Sequence, residues 1–217
     1  MTRRFEFPPG AFRRLDEEDD RFFYASPRRV VHLDAAAVAA LTRLYESLVP
    51  STGCVLDLMA SWRSHLTGAF AGTVIGLGMN RDEMLDNPQL AQAIVHDLNR
   101  DPHLPFADEA FDAALCAVSV QYLTHPIDVF RDVGRTLRPG APFIVSFSHR
   151  CFPEKAVAIW RAATEAQHVA IVTAYFAASA NSAWSWGQLY EGAFTPVEGD
   201  PLRIVWGGKT VAPDGQA

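Results

Sequence analysis

Three polar side chains stand where apolar runs stop: Asp57, Asn80 and Asp97. The run Cys54-Val55-Leu56-Asp57-Leu58 is apolar apart from one carboxylate. An unpaired carboxylate is costly to bury, so Asp57 belongs near the carboxyl end of a buried strand. Asn80 follows Thr73-Val74-Ile75-Gly76-Leu77-Gly78-Met79, and Asp97 follows Ala93-Ile94-Val95-His96. In an open α/β sheet the carboxyl ends of parallel strands converge on the crevice where ligands bind. Two carboxylates and an amide there suit a ligand rich in hydroxyl and amino groups. They do not suit a pyrophosphate, which prefers exposed backbone amides and a basic residue. Taken singly, each of the three could cap a helix or turn; their shared topological place is the argument for a joint role.

The elements that must position these residues follow from periodicity. Asp34 reads as an N-cap, and Val38, Leu41, Leu44 or Tyr45, and Leu48 recur behind it at helical spacing. Pro50-Ser51-Thr52-Gly53 turns that helix into the first strand. A short helix is expected around His65–Phe70, and another opens at Asn80, whose first turn is acidic. Ala93–Leu98 reads as a third strand, Asn99–Glu109 as a loop, and Phe111–Val120 as a fourth strand covered on both faces. A helix over His125–Leu137 leads to a fifth strand at Pro142–Phe147, and a long helix is expected from Pro153 to about Ala178. Trp184–Phe194 and Leu202–Trp206 have no helix between them, so they read as a closing hairpin with an antiparallel member. Strands alternating with helices give a doubly wound, mostly parallel α/β sheet with an antiparallel edge. The chain divides into an N-terminal arm (1–33) packing on the domain or over the crevice, a core (34–150), and a helix with its closing hairpin (151–217).

Composition narrows the function classes. The chain has 217 residues, is 49% apolar and carries a net charge of −6. That charge argues against a dedicated nucleic-acid binder, which needs a basic face. The apolar runs are too short to span a bilayer, and no apolar stretch follows Met1-Thr2-Arg3-Arg4-Phe5 to make a secretory signal. Cys54, Cys116 and Cys151 form no Cys-x-x-Cys pair, which fits a reducing, cytoplasmic setting and neither a disulfide framework nor a metal site. The cluster Arg13–Arg21 reads as a solvated face or mobile arm, and Ala212–Ala217 as a frayed end. Gly76-Leu77-Gly78 lacks the third glycine of a dinucleotide fingerprint and follows the second strand, not the first.

Three stretches together resemble the class I S-adenosylmethionine-dependent methyltransferases of the small single-domain, type 11-like kind. They are Val55-Leu56-Asp57-Leu58, then Leu104-Pro105-Phe106-Ala107-Asp108-Glu109-Ala110-Phe111-Asp112, then Leu137-Arg138-Pro139-Gly140. Their order and spacing carry the resemblance, which covers about residues 35–150. It implies a Rossmann-like, seven-stranded sheet, S-adenosylmethionine as methyl donor with no metal, S-adenosylhomocysteine as product, and a small-molecule acceptor with neither nucleic acid nor membrane as partner. By the resemblance, Asp57 with Leu58, Met59, Ala60 and Trp62 faces the methionine moiety. Asp97 bonds the adenine amino group, with Leu98 beside the ring. Val118, Ser119 and Gln121 line the methyl-donor side. The family's glycine-rich loop is here Met59-Ala60-Ser61-Trp62, and its ribose-binding acid aligns with Gly78, leaving Asn80 as the nearest polar substitute.

The acceptor side has fewer signals. His149, leaving the fifth strand, could deprotonate an acceptor, though capping the next helix or bonding a carbonyl is the preferred reading. Arg150 could hold an acidic substrate or pair with surface carboxylates. Tyr122 could touch cofactor or acceptor. Trp184, Trp186 and Tyr190 recur at even spacing, suited to core packing or to a wall for a planar acceptor. Methyl transfer to a good nucleophile needs alignment more than a protein base. No motif encodes the acceptor or an oligomeric state.

Overall fold

Each of the five apolar runs forms a strand in the computed structural model, which describes residues 7–211. The expectations for Met1–Phe5 and Ala212–Ala217 concern residues outside that range. The chain opens with α1 (Asp20–Phe23) and α2 (Ala35–Leu48), followed by β1 (Cys54–Leu58), β2 (Thr73–Gly78), α3 (Arg81–Leu85) and β3 (Gln92–Val95). Then come β4 (Ala113–Ala117), a 3₁₀ turn at Val120–Tyr122, α4 (Pro126–Thr136) and β5 (Pro142–Phe147). The remainder is α5 (Ala158–Arg161), α6 (Glu165–Ser179), β6 (Trp184–Trp186), β7 (Tyr190–Phe194) and β8 (Leu202–Val211).

The sheet has eight strands in the order β3-β2-β1-β4-β5-β8-β6, with β7 also on β8. The first five in that order are mutually parallel, and β8 runs antiparallel to β5. Side chains of a strand alternate between the two faces. Val55, Ala113, Leu115 and Ile144 share one core with Ala37, Leu41 and Tyr45 of α2. Leu56, Leu58, Ala114 and Phe143 share the other with Phe130 of α4 and Tyr175 of α6. The doubly wound expectation therefore holds. No helix among the described residues is long and apolar enough to cross a membrane.

The family-like motifs lie mainly in the frame. The Arg138 guanidinium pairs with Asp112, whose other oxygen accepts from the Cys54 amide at 2.7 Å. Arg135 donates to the Leu104 and Phe106 carbonyls and pairs with Asp108 at 2.7 Å. The Asp112 contacts join the amino ends of β1 and β4, opposite the crevice, while the Arg135 contacts tie α4 to the loop before β4.

Several local expectations are corrected. No helix forms at His65–Phe70. His65 has a φ of 58°, which a right-handed helix excludes, and its carbonyl accepts from the Thr42 hydroxyl of α2 at 3.0 Å. The long helix from Pro153 is two helices, because Thr164 and Gln167 form a capping box that starts α6 afresh. Trp184–Phe194 is two strands broken at Gly187, both paired along the long β8, so the sheet gains a strand over the seven expected. Trp184 and Trp186 are core residues, while Tyr190 stacks on Trp206 at 5.4 Å near the surface.

Trp184 explains a glycine inside α4. A Cβ on Gly134 would collide with the Trp184 indole. Gly→Ala in a helix ordinarily stabilises by about 1 kcal/mol. Here Gly134→Ala is expected to destabilise by about 1–3 kcal/mol through overpacking, read as a lower urea midpoint; an unchanged or higher midpoint would show that the indole moves freely.

The charge cluster of the arm is solvated only in part: Arg13, Glu17, Glu18, Asp19 and Arg21 are exposed, but Arg14, Asp16 and Asp20 turn inward. Arg14 donates through Nη1 to both oxygens of Asp20 at 2.6 Å, and Lys155 Nζ lies 3.0 Å from Asp20 and 2.9 Å from Asp16. Lys155 and Asp20 are buried. Asn99 Nδ2 adds a hydrogen bond to Asp20 at 2.9 Å. The arm is thereby fastened to the loop beyond β3 and to the segment after β5.

Candidate functional site

Beyond the carboxyl ends of β1 to β4 lies a cavity of about 1120 Å³, counted out to its open mouth. Its floor comes from strand ends and the loops after them; its roof comes from arm residues including Tyr24, Arg28, Val30 and His32. The arm therefore covers the crevice as well as packing on the domain. Asp57, Met59, Ala60, Trp62, Asn80, Asp97, Leu98, Val118, Ser119 and Tyr122 all line this one space. Leu58 does not: it is one residue from Asp57 on a strand, so it points into the opposite core. Gln121 does not either. Its Nε2 donates to the Val118 carbonyl at 2.8 Å and the residue is buried. His149 and Arg150 are also absent from the lining, and both lie against Asp200, at 3.4 and 2.8 Å. His149 caps no helix: α5 begins only after Val157, which makes no side-chain cap.

Asp57 is 3% exposed. Its Oδ2 accepts from the Ser64 hydroxyl at 2.6 Å, and its Oδ1 has no hydrogen-bond partner among the described residues. Burial pushes its pKa up to about 7, with the Ser64 bond opposing. Asn87 Nδ2 holds Ser64 in turn, at 2.9 Å. The carboxylate thus sits half-satisfied at a cavity wall, a position that favours a cationic or hydrogen-bond-donating ligand group.

Asn80 is committed elsewhere. Its Oδ1 caps α3 by accepting from the Glu83 amide at 2.9 Å, as the sequence predicts for an N-cap. Its Nδ2 donates to the Tyr24 carbonyl at 2.8 Å. Glu83 is committed too: it accepts from the Arg28 amide at 2.6 Å and the Ser61 hydroxyl at 2.5 Å. The polar groups at the end of β2 therefore anchor the arm. Asp97 caps its own turn, accepting from the Asn99 amide at 2.9 Å, with Leu98 buried beside it.

Backbone strain gathers here. Five non-glycine residues among those described have positive φ, and three of them, Met59, His65 and Val118, line the cavity. Left-handed backbone costs an L-residue roughly 1–2 kcal/mol, and such strain concentrates at functional sites. Met59, with φ 57°, adopts in the loop after β1 a conformation that glycine adopts freely. The absence of an acid at Gly78 has a steric cause. A Cβ there would collide with the Ala60 carbonyl, which closes in because the Ala60 amide donates to Leu77 O at 2.9 Å. Gly78→Asp is accordingly expected to lower stability by about 1–3 kcal/mol; a melting temperature at or above wild type would refute that reading.

Sequence reasoning passed over Glu83, His32 and Phe152 at this cavity, and Ser64 behind Asp57. Only Glu83 carried a signal, three residues after a capping asparagine. The others reach the site through loops whose path no periodicity encodes.

Comparison with known proteins agrees with the geometry. A family model described as a methyltransferase domain matches residues 56–145. The methyltransferase GfsG of Streptomyces halstedii is 27% identical over 137 residues, 57% of this chain and 48% of that protein. The biotin biosynthesis bifunctional protein BioHC of Teredinibacter turnerae is 31% identical over 90 residues, 40% of this chain and 15% of that protein. The chain thus spans half or less of the length of these curated relatives. Among solved structures, YcgJ of Bacillus subtilis has a TM-score of 0.54 at 12% identity, covering 82% of this chain and 100% of that one. An S-adenosylmethionine-dependent methyltransferase of Mesorhizobium loti has a TM-score of 0.53 at 17% identity, covering 81% and 99%. The [4+2]-cyclase SpnF shares the fold as well, with a TM-score of 0.54 at 12% identity, covering 80% and 82%. The chain thus carries a match to a methyltransferase domain over residues 56–145 and shares its doubly wound fold with solved S-adenosylmethionine-dependent methyltransferases.

Proposed function

We propose that the protein transfers a methyl group from S-adenosylmethionine to a small-molecule acceptor. The observation that supports this best is Asp57: a buried carboxylate with one unpartnered oxygen on a cavity at the strand ends. Those residues fit the donor. Asp57 would meet the ammonium of the methionine end, with Met59, Ala60 and Trp62 beside it. Asp97 would accept from the adenine amino group, and Leu98 would pack on the ring. Val118 and Ser119 would line the side from which the methyl leaves. Asn80 would support the ribose end indirectly, by holding the arm over it. The donor supplies an activated methyl on a sulfonium, so the chain's work would be to bind, align and exclude water. Isothermal calorimetry with S-adenosylhomocysteine tests this: saturable one-site binding is expected, and no binding to the intact chain would overturn it.

A second reading, a methyltransferase-fold binding or assembly module, is favoured by one observation. The polar groups after β2 are spent on the arm and not left for a ligand. It would replace the first reading if S-adenosylhomocysteine binds while a broad acceptor screen yields no methylated product.

A further inference from the structure

One end of the cavity has a different chemistry from the Asp57 end. Phe152, from the segment after β5, lies at the centre of an aromatic group. His32 meets its ring edge-on at 4.7 Å, Phe23 at 5.4 Å, and Tyr122 stacks at 6.0 Å. Tyr24 packs on Phe23 at 4.9 Å. Of these, Phe152, His32, Tyr122 and Tyr24 line the cavity. Tyr122 is held in place, its oxygen accepting from the Phe152 amide at 2.8 Å. Two groups are not so engaged. The His32 ring nitrogens and the Tyr24 hydroxyl have no hydrogen-bond partner among the described residues. Burial, with Arg150 nearby, lowers the His32 pKa below its ordinary value, so its ring is neutral near pH 7. Burial raises the Tyr24 pKa, so its hydroxyl keeps its proton.

The recess thus offers aromatic walls with the Arg28 guanidinium over the Phe23 and Phe152 rings at 3.9 and 5.4 Å, a free imidazole nitrogen that accepts, and a free Tyr24 hydroxyl that donates. That is the complement of a hydroxyl group, which donates once and accepts as well. A cationic amine would need a free anion. The carboxylate on this side, Asp20, already takes Arg14, Lys155 and Asn99. Building on the methyltransferase reading above, we infer that the recess around Phe152 is the acceptor subsite, that it takes a hydroxyl carried on a planar apolar body, and that His32 accepts the hydroxyl proton while Tyr24 donates to the same oxygen. In the transfer, the acceptor oxygen forms its bond to the methyl carbon. The carbon–sulfur bond breaks with its electron pair staying on sulfur, which becomes a neutral thioether. The hydroxyl proton goes to the free His32 nitrogen, leaving an imidazolium.

The test uses the full chain saturated with S-adenosylhomocysteine and 2-naphthol as probe, with naphthalene and phenethylammonium as controls. Binding is read by calorimetry, and the His32 ring nitrogens by NMR. The expected result is that 2-naphthol binds, shifts the His32 ring signals, and binds about tenfold more tightly than naphthalene, the worth of one or two buried hydrogen bonds. His32→Asn and Tyr24→Phe should each remove most of that preference, and Phe152→Ala should weaken both planar probes alike. Should Phe152→Ala not fold, the conservative Tyr24→Phe and His32→Asn variants still decide. Equal affinity for 2-naphthol and naphthalene, unmoved His32 signals, or tighter binding of phenethylammonium would each overturn the proposal. Failure of S-adenosylhomocysteine to bind would instead count against the methyltransferase reading, and the 2-naphthol titration on the unliganded chain would still report on the recess.

Discussion

Asp57→Asn is expected to weaken S-adenosylhomocysteine binding by about 10- to 100-fold, the worth of one charge-assisted hydrogen bond in a desolvated site. The same substitution is expected to stabilise the unliganded protein at pH 8. The two effects share one cause. Burial raises the Asp57 pKa from 3.8 to about 7, so the folded chain holds this proton more tightly than the unfolded chain does. The stabilising share of that proton is fully present below about pH 4 and is lost as pH rises through about 7. Above that pH the folded protein carries a buried carboxylate that asparagine would not. Removing the charge should return roughly 2–4 kcal/mol at pH 8 and little at pH 4. On the proposed function a ligand ammonium would pair with the ionised carboxylate, so wild-type affinity should fall as pH drops below about 7, by up to about tenfold per unit. The variant should show a flat profile over that range. Calorimetry between pH 5.5 and 8.5 with urea melts at pH 4 and 8 measures all of this. Wild-type affinity retained in Asp57→Asn would sink the assignment of the whole site.

Asp20→Ala is expected to cost about 3–5 kcal/mol and to free the arm. Asp20 is the shared anion of two buried cations, Arg14 and Lys155. Burial alone would raise its pKa, but hydrogen bonds from Asn99, Arg14 and Lys155 outweigh this and hold it below the ordinary value. Such a group stabilises at neutral pH, and its share is lost as pH falls through the lowered pKa. Deleting one partner of a buried ion cluster leaves charge uncompensated, which is the expensive way to break it. Urea denaturation reads the loss, and trypsin reads the release, because Arg21, Arg28 and Arg29 lie on the freed segment. A loss below about 1 kcal/mol with an unchanged tryptic pattern would show that apolar contacts, not these ions, hold the arm.

The core of the fold was legible because its signals are local. A strand covered on both faces must be almost continuously apolar: Ala113–Ala117 is so throughout, and Pro142–Phe147 is broken only by Ser146. Asn80 caps α3 through an amide three residues away, a distance that sequence spacing describes directly. The same residue shows where legibility ends. Its other half bonds the Tyr24 carbonyl, 56 residues back, and no local rule ties those positions. The expected helix at His65–Phe70 failed for a similar reason. Its backbone is pinned by Thr42 in another element, and tertiary hydrogen bonds overrule weak local propensity.

The sequence by itself determined the sheet, the resemblance to methyltransferases and the meeting of Asp57, Asn80 and Asp97 at one crevice. Hydrophobic period and strand order are sufficient for that. Only the tertiary structure decided what those groups are free to do. Asp57 kept an open oxygen because its one bond, from Ser64, reached a single side of the carboxylate. Asn80 lost its freedom because the arm folded down onto it. Gly78 could not be an acid because a loop that lacks glycines brought the Ala60 carbonyl into that space. The arm, read as a charged segment, became the roof of the site because Asp20 found Lys155 far along the chain, and buried charges persist only where such partners meet.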